Sequence, residues 1–223
     1  VLAAAMAALA LRLLKLPGLA LLPAAVLPNS GNLGLPMAQL AFGEEGLAIA
    51  VAAFAITSML QHTVAVWILS RSSPQRTRMP RGVVFAVAAA VVLRWSGLSV
   101  PAPVLESARL VGSMTVPLML LSLGYALVTV SHGGLRQGAW LGSIRLAAGT
   151  ISGLLVGLIM GLPPVAAGVM LLQLAMPVAV ASYLYADRLT PHGEIAAGGV
   201  LVSTLALLVL SPGLLWLAGA VKG

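Results

Sequence analysis

The chain has 223 residues, of which 60% are hydrophobic and only 8% are charged, and its mean hydropathy is +1.07. Soluble domains carry about 25% charged residues, so this composition excludes a soluble globular protein. The absence of cysteine excludes a disulfide framework, a thiol nucleophile and a thiolate metal site. The five acidic residues and three histidines show no metal-ligand spacing, so we predict neither a metal site nor a cofactor. The net charge is +7. In a chain this apolar, basic residues indicate loops at the cytoplasmic face of the membrane rather than a nucleic-acid-binding surface.

Charged residues divide the sequence into long apolar blocks. A bilayer crossing needs about 20 apolar residues, so each block predicts at least one crossing and the longest, Leu146–Ala186, predicts two. We therefore expect an all-α, multi-pass integral protein of a bacterial inner (plasma) membrane. The uncharged blocks are Leu16–Gly43, Gly46–Ser70, Leu110–Leu135, Leu146–Ala186 and Ile195–Val221.

The first predicted elements run from the start of the chain to its only polar linker. Val1–Leu14 is a partial span that opens without Met and has its basic residues after the apolar run, which is not the order of a signal peptide. This pattern predicts the tail of a longer protein. An interrupted span over Gly18–Phe42 follows, and Glu44 and Glu45 close it. A clean helix is then predicted over Leu47–Leu69.

The linker and the elements after it complete a prediction of eight crossings, counting the partial one. The long block divides at Gly161–Pro164, and its second part is again interrupted. The predicted elements are a cytoplasmic linker at Arg71–Arg81, a short span at Gly82–Trp95, a helix over about Val104–Thr129, a polar turn at Ser131–Gln137, a polar turn at Asp187–Glu194 and a last crossing at Ile195–Ala218.

The distribution of basic residues predicts the orientation in the membrane. When the linker is placed in the cytoplasm, nine of the twelve basic residues lie inside and Arg94, Arg109 and Lys222 lie outside, as the positive-inside rule requires. We predict that a cysteine replacing Ser73 stays unlabelled by an impermeant maleimide in intact cells. Labelling without permeabilisation would contradict this orientation. The inside set is Arg12, Lys15, Arg71, Arg76, Arg78, Arg81, Arg136, Arg145 and Arg188.

Two predicted spans are broken near mid-membrane, where unpaired backbone groups must be enclosed by protein or line a wet cavity. In the first, Pro28, Gly31, Gly34 and Pro36 interrupt an apolar run that also holds Asn29, Ser30 and Asn32. In the second, Pro177 follows Gln173 and Met176. Paired interruptions in the two halves of a chain are typical of the midplane site of a secondary transporter. Half-helix N-termini at such a site favour an anionic group. The alternatives are an ordinary surface turn for the first break and a simple kink for the second.

Several segments in order resemble a known family. Asn29-Ser30-Gly31-Asn32-Leu33-Gly34-Leu35-Pro36 and Phe42-Gly43-Glu44 look like the Asn-Thr-Gly-Asn-x-Gly-x-Pro and Phe-Gly signatures of the auxin efflux carrier family of membrane transport proteins. Ser30 stands where the family usually has Thr. The later segments similar to its motifs are Pro117–Gly124, Arg145-Leu146, Ala175–Val180 and Ser203–Leu205.

The resemblance implies a fold of ten helices in two inverted five-helix repeats, like that of bile acid:sodium symporters, with two crossed discontinuous helices. Eight of the ten helices would be present. Residues 1–70 would be the C-terminal part of the first repeat, 71–81 the linker and 82–223 the complete second repeat. The implied activity is transport of small organic anions, such as carboxylates or auxin-like acids, by a homodimer joined through scaffold helices. The candidate binding residues come from the two breaks and from the polar positions of the helix after the first break, where His62 departs from the family's pattern. They are Asn29, Ser30, Asn32, Gln61, His62, Gln173, Met176 and Pro177.

A few polar residues outside the breaks allow two interpretations each. Gln61 and His62 lie midway along the helix after the first break, where they could face the cavity or pair with a neighbouring helix. Arg145 could balance an anion or helix C-termini, although snorkelling to the cytoplasm is favoured. Tyr183 and Tyr185 are predicted to be interfacial belt residues. With no acidic residue deep in any span, we expect uniport, or coupling through backbone carbonyls and His62.

Two other function classes remain open at this point. The chain could be a truncated, non-transporting fragment or subunit that needs a partner. It could also be an intramembrane protease that uses Ser113 and His132, although no second motif supports this dyad. Carrier activity is the leading hypothesis, and no enzymatic activity is predicted.

Overall fold

The computed structural model describes residues 1–72, 81–97, 99–114, 117–118, 121, 124–125, 128 and 131–220. The described part is all-helical, as predicted, and the only β pairing found in it is one isolated bridge. Two π-helical segments, Ser30–Gly34 and Gln61–Ala65, interrupt the α-helices. The α-helices are α1 (Leu2–Leu13), α2 (Gly18–Val26), α3 (Leu35–Leu60), α4 (Val66–Ser72), α5 (Arg81–Ser96), α6 (Ala102–Ser113), α7 (His132–Met160), α8 (Pro164–Ala175), α9 (Val180–Leu189) and α10 (Gly193–Ala220).

The first predicted break is present but shorter than the sequence suggested. The chain leaves the helix after Val26 and re-enters one at Ser30. Pro36 lies in the first turn of α3, where a missing amide hydrogen costs nothing because that donor has no helical partner. Gly31 and Gly34 lie in the π-helical turn that interrupts the α-helical pattern, and Pro36 begins the α-helix, so only residues 27–29 of this segment are non-helical.

The helix after the first break also differs from its prediction. Gly43 has a positive φ of 65° and kinks α3, so the helix resumes at Glu44, earlier than the predicted Leu47. It does not stay regular either, because Gln61–Ala65 forms a π-helical turn before the chain continues to Ser72. Gln61 and His62, the polar pair predicted midway along this helix, thus lie in the irregular turn.

In the second half of the chain, the helices begin and end at the glycine and proline residues that predicted their limits. Gly161 ends α7 in the left-handed conformation, and Pro163 and Pro164 begin α8. Met176 and Ala179 are extended, so the second predicted break is present around Pro177. These outcomes fit the roles of glycine after a helix end and of proline in a first turn.

The predicted polar turn at Ser131–Gln137 was wrong. Ser131 is the N-cap of α7, and its hydroxyl accepts the amide hydrogen of Gly134 at 3.0 Å. Ser131 Oγ also donates to Glu194 Oε2 at 2.8 Å, which ties the start of α7 to the start of α10. The polar and glycine residues after Ser131 are the first turns of a long helix.

Three helical stretches among the described residues are long and apolar enough to cross a membrane, namely Ser30–Arg71, His132–Met160 and Gly193–Ala220. Leu2–Leu13 and Pro164–Ala175 are shorter apolar helices. Thr129 and Lys222 lie outside the described residues, so the exact end of the helix after Val104 and the position of the C-terminus stay predictions.

Helix α7 is the centre of the packing, because it contacts α1, α2, α8 and α10. Its glycines Gly134, Gly138 and Gly142 recur every four residues and face α10. A Cβ on Gly138 would lie 2.5 Å from the carbonyl carbon of Gly198, so the two backbones touch. Close approach of small residues is how membrane helices gain packing energy, and this contact holds the second half together.

Candidate functional site

The two helix breaks meet in space although about 150 residues separate them in sequence. Pro28 and Val178 form an antiparallel bridge, and the amide of Asn29 donates to the carbonyl of Pro177 at 2.8 Å. The amide of Val178 donates to Ser203 Oγ of α10 at 3.1 Å. Backbone groups freed by each break are therefore paired by the other break or by a buried serine, as an apolar surrounding requires.

A cavity of about 190 Å³ opens beside this bridge. Five of the eight predicted site residues line it, and three residues on the predicted first break, Asn29, Ser30 and Asn32, form one wall. Ser30 Oγ and Thr57 Oγ1 lie 3.0 Å apart, which fixes this wall against α3. The full lining is Pro28, Asn29, Ser30, Gly31, Asn32, Phe54, Ser58, Gln61, His62, Ala179 and Ala181.

Two helix N-termini end at this cavity. Asn29 is the N-cap of the helical segment that starts at Ser30, and Ala179 is the N-cap of α9. Neither side chain caps its helix, and the first amides of a helix have no partner within it. The cavity wall thus combines the positive ends of two helix dipoles with the side-chain amides of Asn29 and Asn32.

Gln61 and His62 both line the cavity and both pair with α9. Gln61 Nε2 donates to Ser182 Oγ at 3.4 Å, and His62 Nδ1 lies 2.6 Å from Tyr185 Oη. The two interpretations of His62, facing the cavity or pairing with a neighbouring helix, are thus both realised. The belt prediction was wrong for Tyr183, which is buried in the main apolar core, whereas Tyr185 is half-buried and its hydroxyl is bonded to His62.

Gln173, Met176 and Pro177 do not line the cavity, although Pro177 is joined to it through Asn29. Gln173 is buried against Gly34, and a Cβ on Gly34 would lie 2.6 Å from Gln173 Oε1. Neither polar atom of the Gln173 side chain has a hydrogen-bond partner among the described residues. Met176 is fully buried in an apolar cluster with residues of α8 and α10.

The prediction that Arg145 snorkels to the cytoplasm was wrong. Its side chain is fully buried. Its Nε donates to the carbonyl of Met176 at 3.2 Å, and its Nη2 donates to the carbonyl of Leu174. These carbonyls lie at the end of α8, so the guanidinium balances the negative end of that helix, which was one of the predicted alternatives.

Four residues that line the cavity were not predicted from the sequence, namely Phe54, Ser58, Ala179 and Ala181. Phe54 and Ser58 precede Gln61 by seven and three residues, which is helical spacing, so the face that carries Gln61 could have identified them. The serine of the protease hypothesis is exposed, and Ser113 Oγ donates to the Leu110 carbonyl of its own helix.

Known proteins provide a family for this chain. A family model described as membrane transport protein matches residues 81–215, more than half of the chain. No curated protein and no solved structure matches.

Proposed function

This chain belongs to the auxin efflux carrier family of membrane transport proteins, and we propose that it is a secondary carrier of small organic anions that works by alternating access. Members of this family are transporters rather than enzymes. The family match and the apolar helices together indicate an integral membrane protein. The substrate class and the mechanism are our proposal, with carboxylates, auxin-like acids included, as the candidate substrates.

The observation that supports the proposal is the meeting of two helix N-termini and two asparagine amides at one cavity. Each group offers hydrogen-bond donors, and no acidic side chain lines the cavity among the described residues. Such an arrangement favours binding of an anion by neutral hydrogen-bond donors, without a cationic side chain next to the anion. At about 190 Å³ the cavity is smaller than the roughly 300–1,000 Å³ of sites for drug-sized ligands, which favours a small acid.

We assign the two broken helices, α2 with α3 and α8 with α9, to a crossed pair in the transport domain of an inverted-repeat fold. Residues 1–70 and 82–223 would then belong to the two repeats, with 71–81 as the cytoplasmic linker. The paired backbone at Asn29 and Pro177 supports this assignment, because it gives the broken helices a shared point of attachment. A bacterial inner membrane and a homodimer through scaffold helices remain parts of the proposal.

The geometry suggests how the cycle would run. The bound carboxylate would take hydrogen bonds from the first turns at Ser30 and Val180, while His62 and Gln61 would close the cavity from the α3 side. Because those two side chains are bonded to α9, a movement of α9 would shift the cavity wall and the binding amides together. Opening to the other side would release the anion.

Binding and uptake test this proposal in sequence. We expect a thermal-shift screen of mono- and dicarboxylates on the purified protein to give at least one stabilising acid, since a ligand bound only by the folded state raises its stability. The same acid should enter vesicles that contain the reconstituted protein. If no carboxylate stabilises the protein and none is taken up, small organic anions are the wrong substrate class.

Asn32→Ala should weaken binding of that acid without lowering the melting temperature. Asn32 is exposed to the cavity, so its removal leaves no buried partner unpaired. A hydrogen bond to a charged group contributes about 1.5–3 kcal/mol, which corresponds to a roughly 10–150-fold weaker Kd. Titration by thermal shift or isothermal calorimetry measures this change.

The matched control is Gln39→Ala, which removes another exposed amide from the same stretch of chain. Gln39 bonds to Glu44 rather than to the cavity wall, so Kd should not change. A loss of affinity in both variants, or a loss of stability together with affinity in Asn32→Ala, would assign Asn32 a structural role instead.

A further inference from the structure

Arg145 is the largest fully buried side chain among the described residues. It extends from α7 to the end of α8, where it donates to the carbonyls of Leu174 and Met176. The one ion pair found in the described part of the chain joins Glu106 to Arg109, on α6. No described carboxylate therefore pairs with the guanidinium, which is balanced by backbone carbonyls.

These carbonyls carry the negative end of a helix dipole. The last carbonyls of α8 cannot bond to a next turn, because the helix ends at Ala175 and Pro177 has no amide hydrogen. In secondary carriers, the carbonyls at the C-terminal ends of broken helices coordinate the coupling cation. Here the Arg145 guanidinium already binds them.

The guanidinium is enclosed where α7 meets the end of α8, and its Nη1 has no hydrogen-bond partner among the described residues. A Cβ on Gly149, one turn further along α7, would collide with the Leu174 carbonyl and lie 2.7 Å from Arg145 Nη2. The absence of a side chain at Gly149 therefore allows Arg145 to reach α8. The geometry fits a group that is a permanent part of the break.

We infer that Arg145 is a built-in cation that takes the place of a coupling Na⁺ at the second break. The side chain neutralises the α8 C-terminus and holds Leu174 and Met176 in the positions that shape the crossing. It is a positioning residue, since it does not line the cavity. If Arg145 replaces Na⁺, transport should not depend on sodium, and this expectation rests on the proposed function. The binding of the guanidinium to the carbonyls does not rest on it.

The first test measures thermal stability of the purified full chain in sodium chloride and in choline chloride at equal ionic strength. The wild type should have the same melting temperature in both salts, because no Na⁺ site is open at the break. A melting temperature that rises with Na⁺ but not with choline would overturn the inference.

Variants at Arg145 separate its charge from its hydrogen bonds. Arg145→Lys should keep most of the stability, whereas Arg145→Gln should lose several degrees, because glutamine donates a hydrogen bond without a charge. Arg145→Ala should be the least stable, and added methylguanidinium or Na⁺ should restore part of the loss. The control Arg136→Gln, at an exposed position of the same helix, should match the wild type.

Two results would contradict a role for the charge. One is a melting temperature of Arg145→Gln equal to that of the wild type, and the other is a folded Arg145→Ala that neither cation stabilises. If the neutral variants do not fold while Arg145→Lys does, the charge requirement is supported directly.

The transport test uses a carboxylate found by the thermal-shift screen. Uptake into vesicles should proceed at the same rate with external sodium or choline. A rate that depends on Na⁺ would overturn the inference while leaving the carrier proposal intact. Absence of uptake of any carboxylate would instead count against the carrier proposal, and the stability tests would still decide the role of Arg145.

Discussion

Gly138→Val should prevent recovery of folded protein, and Gly138→Ala should lower the melting temperature by about 2–12 °C. A Cβ at this position would meet the backbone of Gly198 and Gly199 at 2.5–2.7 Å. Backbone atoms of a packed helix cannot rotate aside as a side chain can, so α7 and α10 must separate. Overpacking by even one methyl group costs about 1–3 kcal/mol. Size-exclusion profiles and thermal unfolding in detergent measure both variants.

Gly133→Ala is the matched control on the same helix. The only atom near its added Cβ is Ser131 Oγ at 3.8 Å, so the change should be neutral or should stabilise the helix by up to about 1 kcal/mol. Equal melting temperatures for Gly138→Ala and Gly133→Ala would show that the α7–α10 contact can widen without cost.

Pro177→Ala should reduce uptake to roughly a tenth of the wild-type rate or less, the loss expected if a reaction step gains about 1.4 kcal/mol of barrier. The new amide hydrogen at position 177 can bond to the carbonyl of Gln173 and extend α8. Such an extension would compete with the Asn29–Pro177 hydrogen bond and displace the N-terminus of α9 from the cavity. Stability should be equal or higher, since a helical hydrogen bond is gained.

The control for this change is Pro212→Ala. Pro212 is also a proline in a membrane-crossing segment, but it lies inside the continuous helix α10 and does not break it. We expect its replacement to leave uptake unchanged at matched protein levels. Equal transport by Pro177→Ala and the wild type would remove the crossed-helix mechanism from consideration.

The helix breaks could be predicted because proline and glycine act locally. Gly161 permits the left-handed conformation that ends a helix, Pro163 and Pro164 fix their own φ angles whatever surrounds them, and the structure turns there. The local argument did not predict that the chain stays helical, as a π-helical turn, at Gly34. Gly34 is needed to make room for Gln173, a residue about 140 positions away, and no local rule could supply that contact.

Partners across the fold could not be predicted for the same reason. The depth of Arg145 favoured snorkelling, since water is the usual solvent of a guanidinium, but the carbonyls of Leu174 and Met176, at the end of the next helix, bind it instead. The tyrosines were predicted as belt residues from their depth alone, whereas the hydroxyl of Tyr185 meets His62. The regular glycine spacing on α7 was visible in the sequence, and the small-residue packing rule would have identified that face.

The bridge between the two breaks has a proline on each side, and this limits how far the pairing can grow. A further pair at Asn29 and Pro177 would need an amide hydrogen at position 177, which proline lacks, and on the other side the amide of Leu27 is bonded to the Pro23 carbonyl at the end of α2. A longer antiparallel pairing between the two segments would hold the broken helices at one fixed angle. In the proposed carrier, a single pair would instead act as a pivot, about which the two broken helices would change their angle while this contact persists.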